Sequence, residues 1–276
     1  MAAKNADAPL FLVEDVHFSY EGAPALAGAT LSVERGERVA LLGANGSGKS
    51  TLLKMLDGLL FPDRGRIGFM GQELSEATLR LDSFSREFRR RVGFVFQNAD
   101  AQLFSPTVRD EVAFGPLHLG LPDDEVERRV EDTIHILGLG HLKERAPYHL
   151  SGGEKKRVAL ASVLAINPDV LLFDEPTAGL DPKTSSFLVS LAGDLHEAGK
   201  TIITATQDLS IVGDIADRAL VMGEDHRLAG EGPPAAVLAD RELLLRANLI
   251  HDHPHRHGGV EHYHPHSHVE GHEHGH

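Results

Sequence analysis

Short apolar runs, broken by glycine and by charged turns, set the pattern between residues 10 and 249. Residues 10–20 alternate in part between apolar and polar positions, which predicts a strand. Residues 29–33 predict a second, closed by the turn Glu34-Arg35-Gly36-Glu37. The run Arg38-Val39-Ala40-Leu41-Leu42 predicts a third, and together the three suggest a small antiparallel sheet. Residues 66–69 and 92–96 predict two more strands. Helical patterns cover 110–119 and 123–137; Pro122 and Asp123-Asp124 open the second, and Gly138 stops it. Few strand signals fall between about 99 and 167, so this region reads as a helical insert between two halves of a sheet. Its last helix starts with Ser151 and Glu154 in the S-x-x-E form of a capping box. Val170-Leu171-Leu172-Phe173 is wholly apolar, as expected of a buried parallel strand. A helix over 185–198, strands over 201–206 and 218–222, the latter read as the last of the core, and one or two short helices over 235–249 complete the pattern. The fold class is α/β: a mostly parallel sheet, an N-terminal antiparallel β-subdomain and the helical insert.

The chemistry concentrates at five places. Gly43, Ala44, Asn45, Gly46, Ser47, Gly48, Lys49, Ser50 and Thr51 fit the pattern G-x-x-x-x-G-K-[ST], between a strand and a helix-like run. Glycines let the backbone curl so that its N–H groups point at phosphate oxygens, and the helix start adds partial positive charge. Lys49 is expected to reach the β- and γ-phosphates, and the Ser50 hydroxyl to hold Mg²⁺. Asp174-Glu175 follows the apolar strand at once; a carboxylate pair there suits Mg²⁺ coordination by Asp174 and activation of a water by Glu175. Ser151, Gly152 and Gly153 leave a bare helix N-terminus, a second anion site. Gln97 ends a predicted strand, where it is either an ordinary turn residue or a contact to metal or water. Tyr20 ends another, where its ring either packs or stacks on a purine.

Composition narrows the classes. The chain has 276 residues, 41% of them hydrophobic, which supports a packed globule. Its formal net charge of −14 argues against a nucleic-acid partner, which would want a basic face. No apolar run approaches membrane-spanning length, and residues 1–10 do not have the form of a signal peptide. The absence of cysteine removes disulfides and thiolate metal sites.

Taken in order, these motifs resemble those of the ATP-binding subunits of ABC transporters, over roughly residues 10–249. Gly43 to Thr51 matches the Walker A loop, Gln97 the Q-loop glutamine, and Leu150 to Glu154 the LSGG signature. Val170 to Glu175 matches Walker B with its catalytic glutamate, Ala178-Gly179-Leu180-Asp181 the D-loop, and Tyr20 the adenine-stacking aromatic. The resemblance implies a P-loop NTPase core, ATP and Mg²⁺ as cofactors, and a head-to-tail dimer. In that dimer Ser151-Gly152-Gly153 of one subunit caps the γ-phosphate bound at Lys49 of the other. One position departs: the family usually carries a switch-loop histidine where this chain has Gln207. An amide there donates a hydrogen bond to the γ-phosphate but cannot become a cation. It implies slower hydrolysis, or a subunit meant to pair with a different ATPase as a heterodimer. Residues 95–104, Pro106-Thr107-Val108 and Ala113-Phe114-Gly115-Pro116 are similar to the energy-coupling-factor branch, and to ATPases of cobalt and nickel uptake. That similarity implies a peripheral place on the cytoplasmic face of the cell membrane. The partners would be a transmembrane coupling protein and a substrate-capturing membrane protein. The same architecture importing a vitamin or other solute is the alternative, and a soluble non-transport ABC ATPase a more distant one.

From residue 250 the composition changes. His251, His253, His255, His257, His262, His264, His266 and His268 alternate with other residues, followed by His272, His274 and His276. Such a segment cannot bury a core and is expected to be disordered over 250–276. Neutral imidazole favours Ni²⁺, Co²⁺, Zn²⁺ or Cu²⁺. The tail therefore reads as a metal buffer or sensor, with an interrupted purification tag as the bland alternative.

Overall fold

The computed structural model describes the backbone of residues 8–257 and 260–267, and the side chains of residues 8–251. The chain opens with β1 (Phe11–Tyr20), β2 (Ala23–Val33) and β3 (Arg38–Leu42), which runs into α1 (Lys49–Leu56). β4 (Arg64–Phe69), β5 (Gln72–Glu73), α2 (Glu76–Leu79) and α3 (Asp82–Arg91) lead to β6 (Val92–Val95). α4 (Val108–His118), α5 (Asp123–Ile136) and α6 (Gly152–Leu164) follow with no strand between them. Then come β7 (Val170–Asp174), α7 (Pro182–Glu197), β8 (Thr201–Thr206), α8 (Val212–Ile215) and β9 (Arg218–Met222). β10 (Leu228–Gly232), α9 (Pro234–Ala239) and α10 (Arg241–Arg246) end the main body.

The larger sheet has the order β10-β9-β3-β8-β7-β6 and is parallel except for the edge strand β10. Alternate residues of its central strands feed different cores, which is why β6, β7 and β8 are buried at every position. Val170 and Leu172 of β7 pack with α1 and the small sheet, whereas Leu171 and Phe173 pack with α6 and α7. Burying each such side chain contributes about 1.5–3 kcal/mol. The sheet brings the C-terminal ends of β3, β7 and β8 to one edge, with α1 starting beside them.

The smaller sheet is antiparallel, in the order β2-β1-β4-β5. β3 was expected to join it. Instead β3 lies inside the parallel sheet, between β9 and β8, because its four consecutive buried residues need cover on both faces. β4 takes its place. β2 starts at Ala23, six residues before the predicted strand. Pro24 and Gly28 hide it from a pattern search, yet both are tolerated: β2 is an edge strand. Gly28, at φ +101°, is the extra residue between the pairs Val16–Ala29 and His17–Ala27. β9 is not the last strand. β10 adds to it antiparallel, its five residues carrying too little apolar character to announce themselves. No element was predicted for α3, a strongly basic helix held down by Phe88, whose ring meets Phe69 edge-on at 5.1 Å.

Disorder was expected from residue 250. β11 (Ile250–His257) instead pairs antiparallel with β12 (Val260–Ser267), in a two-stranded sheet separate from the other two. Two-residue alternation suits extended backbone, but the composition still supplies no core, and an isolated hairpin is marginally stable at best. His251, His253, His255 and His257 lie on β11, and His262, His264 and His266 on β12; His268 lies outside the described residues.

Candidate active site

The loop between β3 and α1 curls as the glycine spacing requires. Gly48, at φ +108°, would place a Cβ 2.2 Å from the Ala25 carbonyl oxygen, so backbone and packing both demand glycine. Gly46 has open space but φ +83°, so conformation alone demands it. Lys49 begins α1 and is buried. Its ammonium donates to the carbonyls of Gly43 at 2.7 Å and Ala44 at 3.1 Å, and lies 3.8 Å from Glu175 Oε1. Burial pushes its pKa down, against the pull of Glu175 and Asp174. A buried cation whose hydrogen-bond partners are loop carbonyls is well placed to exchange them for phosphate oxygens.

β7 delivers the carboxylates. Asp174 ends the strand, and its Oδ1 accepts from Ser50 Oγ at 2.8 Å. Glu175 follows with φ +46°, a left-handed backbone that costs energy in a side chain of this size. It is held there by its N–H donating to Ala205 O at 2.9 Å. Thr206 Oγ1 donates to Glu175 Oε2 at 3.2 Å, and the backbone N–H of Gln207 also bonds this carboxylate. Oε1 is buried without a hydrogen-bond partner. Burial pushes both acids up; Ser50 opposes this most for Asp174, and Lys49 for Glu175.

A cavity of about 350 Å³ gathers Tyr20, Asn45, Gly46, Gly48, Lys49, Ser50, Thr51, Gln97 and Glu175. Of the other predicted residues, Gly43 and Ala44 are tied to the lining residue Lys49 through their carbonyls, and Asp174 to the lining residue Ser50. Ser47, a member of the loop, is buried. Tyr20 is 44% exposed, edge-on to Phe18 at 4.9 Å, with its hydroxyl 3.4 Å from Thr51 Oγ1. Its free ring forms one wall. Sequence reasoning missed Ala23, Pro24 and Ala25, which form another, and Thr206, the last of three threonines on β8.

Two predicted groups stay outside. Gln207 is half-buried and reaches the site through its main chain. Ser151, Gly152 and Gly153 start α6 elsewhere on the surface. The capping box is complete: Glu154 N–H donates to Ser151 Oγ at 3.4 Å, and Ser151 N–H to Glu154 Oε2 at 2.8 Å. A Cβ on Gly152 would meet nothing within 4 Å, and one on Gly153 only Leu180 and Thr184, at 3.9 Å. Neither glycine is required by the packing of this chain.

A glycine loop on a buried lysine, a strand-end acid pair and a capped glycine helix start occur here in one fold. The family described as ABC transporter matches residues 26–178. The chain belongs to the ABC transporter ATPases. It is 51% identical over 245 residues to the nickel import ATP-binding protein NikO of Rhodobacter capsulatus, covering 88% of this chain and 96% of that one. Archaeal proteins named energy-coupling factor transporter ATP-binding protein, from Methanothermobacter thermautotrophicus and Methanocaldococcus jannaschii, match at 45% and 44% identity over 86% and 87% of this chain and 75% and 85% of theirs. Among solved structures, cbiO1 of Clostridium perfringens, described as part of the ABC transporter complex cbiONQ, superposes with TM-score 0.73 at 40% identity, over 87% of this chain and 95% of that one. The ATP-binding cassette MJ0796, solved as a dimer bound to ADP and Pi, superposes with TM-score 0.73 at 28% identity, over 81% and 98%.

ATP and Mg²⁺ are the cofactors of this family, and the residues fit both. The Ser50 hydroxyl and Asp174 carboxylate are adjacent hard oxygen donors, the kind Mg²⁺ takes. The buried Oε1 of Glu175, beside Lys49, has no hydrogen-bond partner and is open to one.

Proposed function

We propose that this ATPase powers import of a transition-metal ion, nickel or cobalt, as the peripheral cytoplasmic-side subunit of a membrane transporter of the energy-coupling-factor type. The observation that carries the hydrolytic part is Glu175, buried 3.8 Å from the Lys49 ammonium with one oxygen free of hydrogen bonds. Lys49 and the loop N–H groups hold the β- and γ-phosphates; Ser50 and Asp174 hold Mg²⁺; Gln97 contacts the metal or its water; Glu175 orients and deprotonates the attacking water; Tyr20 stacks on adenine. Bound Mg²⁺ supplies charge neutralisation at the transferring phosphoryl group. The γ-phosphate is capped by Ser151, Gly152 and Gly153 of a second subunit. That assignment explains two glycines that this chain alone does not need. The dimeric cassette MJ0796 supports it.

One exposed apolar surface suits the membrane partners. Phe104, Phe114 and Leu117 are 67%, 47% and 54% exposed beside a groove of about 530 Å³ between α4 and α5. The buried Glu111 carboxylate accepts from the N–H groups of Phe104 and Ser105 at 2.9 and 2.7 Å, which fixes the loop that presents Phe104. Among the described residues no helix is long and apolar enough to cross a membrane. An exposed aromatic groove next to the Gln97 loop suits a coupling helix from a transmembrane protein, and favours transport over a soluble non-transport role.

The metal assignment rests on the nickel-import relative and on the tail. The register of β11 on β12 sets His251 opposite His266, His253 opposite His264 and His255 opposite His262. Alternating histidines supply neutral imidazole, a ligand type that suits Ni²⁺ and Co²⁺. Uptake of radiolabelled Ni²⁺ and Co²⁺ tests the assignment in cells carrying the intact chain, Glu175→Gln, or a deletion of residues 258–276. Glu175→Gln is expected to abolish uptake of the transported metal. The deletion is expected to keep uptake while lowering the Ni²⁺ bound per chain in calorimetry. Uptake unaffected by Glu175→Gln would point to a vitamin or other solute, and unchanged Ni²⁺ binding would leave the tail without a metal role.

Gln207 marks an expected weakness in hydrolysis. Gln207→His is expected to raise the turnover number, because the imidazole can become a cation beside the γ-phosphate and the amide cannot. Equal or lower turnover in single-cycle kinetics would contradict this, and would favour pairing with a different ATPase.

A further inference from the structure

Lys156 is a buried cation outside the nucleotide cavity. Its neighbour Lys155 reaches outward to Asp100 at 2.6 Å, whereas Lys156 is 5% exposed. From the first turns of α6 its ammonium crosses to the loop after β7. It donates to the carbonyl of Glu175 at 2.7 Å and to that of Ala178 at 3.4 Å. Its stem lines an apolar cavity with Leu160, Phe173, Pro176 and Leu188. A charge in such a place is costly, and an apolar side chain of similar volume would ordinarily be as stable or more so. Burial pushes its pKa down, while Glu175 and Asp174 pull it up.

The cost is spent on a particular peptide unit. Glu175 sits at φ +46°, and its carbonyl otherwise accepts only a 3.2 Å bond from the Ala178 N–H. Fixing that carbonyl fixes the direction in which the Glu175 carboxylate points. The same helix grips the other flank of the site. Gln102 Nε2 donates to Ala159 O at 2.8 Å and to Ser162 Oγ at 3.2 Å, while Gln102 Oε1 accepts from the N–H of Phe96, the residue before Gln97, at 3.2 Å. One rigid element thus holds the main chain beside Gln97 and the main chain of Glu175, and carries Ser151, Gly152 and Gly153 at its start.

We propose that Lys156 is a positioning residue: its ammonium ties the Glu175 backbone to α6, so that a shift of the helix start on meeting a partner subunit's nucleotide is passed to the Glu175 carboxylate. The proposal rests on the reading of Glu175 as the group that orients the attacking water.

The test uses the full chain and compares Lys156→Met, Lys156→Arg, Glu175→Gln and the double variant Lys156→Met with Glu175→Gln. Lys156→Met is expected to lower kcat about tenfold, the scale of a small misplacement of a catalytic group. Its KM for ATP is expected to stay within about twofold of the parent, since ground-state binding is untouched. Its thermal midpoint is expected to hold or rise, because a buried charge has been removed. Lys156→Arg, which keeps a cationic donor, is expected to recover most of the turnover. In the Glu175→Gln background Lys156→Met is expected to have no further effect. A kcat for Lys156→Met within about twofold of the parent, with Glu175→Gln inactive, would overturn the Lys156 assignment alone. A thermal midpoint that falls with turnover in both Met and Arg variants would also overturn it, by showing a merely structural role. Normal turnover in Glu175→Gln would instead overturn the reading of Glu175 on which the proposal stands.

Discussion

Glu175→Gln is expected to lower ATP turnover by about 10²–10³-fold while leaving ATP affinity equal or higher. The amide has the same shape and keeps the Thr206 hydrogen bond, so the fold is not disturbed. It cannot take a proton from water. It also removes a negative charge 3.8 Å from the Lys49 ammonium, where the γ-phosphate is to lie, so nucleotide binding loses a repulsion. Acidity adds a second signature. Burial raises the pKa of Glu175 above the ordinary carboxylate range, and the base form is the active one. The rate of the parent should therefore rise with pH through that raised value, and fall on acidification before an ordinary glutamate would protonate. That acid limb should vanish in Glu175→Gln. Steady-state kinetics with nucleotide binding by fluorescence across pH checks both, and a variant retaining a third of parental turnover would remove Glu175 from its role.

Gly153→Asp is expected to abolish turnover almost as fully, although Gly153 lies outside the cavity that holds Lys49. The substitution costs this chain little. A Cβ there meets only Leu180 and Thr184 at 3.9 Å, and the helix start keeps its Ser151–Glu154 cap. Binding of ATP to the isolated subunit should therefore stay normal, as should the thermal midpoint. A carboxylate aimed at a partner's γ-phosphate, however, sets like charges against each other at close range. Loss of hydrolysis with unchanged folding and first-site binding is what a contact made only between subunits produces. Unchanged turnover in Gly153→Asp would show that the glycine helix start has no part in the chemistry.

Much of this site was legible in the chain because phosphate chemistry needs backbone N–H groups, and backbone shape is written in glycine. Gly46, Gly48 and Lys49 could be placed from spacing alone, and Asp174-Glu175 from the apolar run before it. What stayed hidden depends on side chains meeting across the fold. Lys156 sits in the run Lys155-Lys156-Arg157, which reads as solvated charge; burial picks out its middle member. Thr206 looks like an ordinary strand residue until β8 lines up beside β7 and sets its hydroxyl on Glu175. The same limit applies to the fold. β3 has the apolar run of any short strand, and only its neighbours β8 and β9 reveal that it belongs to the parallel sheet. α3 and β10 were missed because each is anchored by few apolar residues, and the first six residues of β2 because an edge strand tolerates the Pro24 and Gly28 that a central one would not.

The dimeric site is tested most directly by mixing two inactive chains. Lys49→Ala lacks the phosphate-binding lysine but keeps its glycine helix start; Gly153→Asp has the reverse defect. If each site is assembled from two copies, equal mixing with exchange makes about half the dimers mixed, each with one intact site, and ATPase activity returns to as much as about a quarter of the parental value. If the mixture stays as inactive as its two components, under conditions where exchange of subunits is shown by labelled chains, the site does not lie between two copies of this chain.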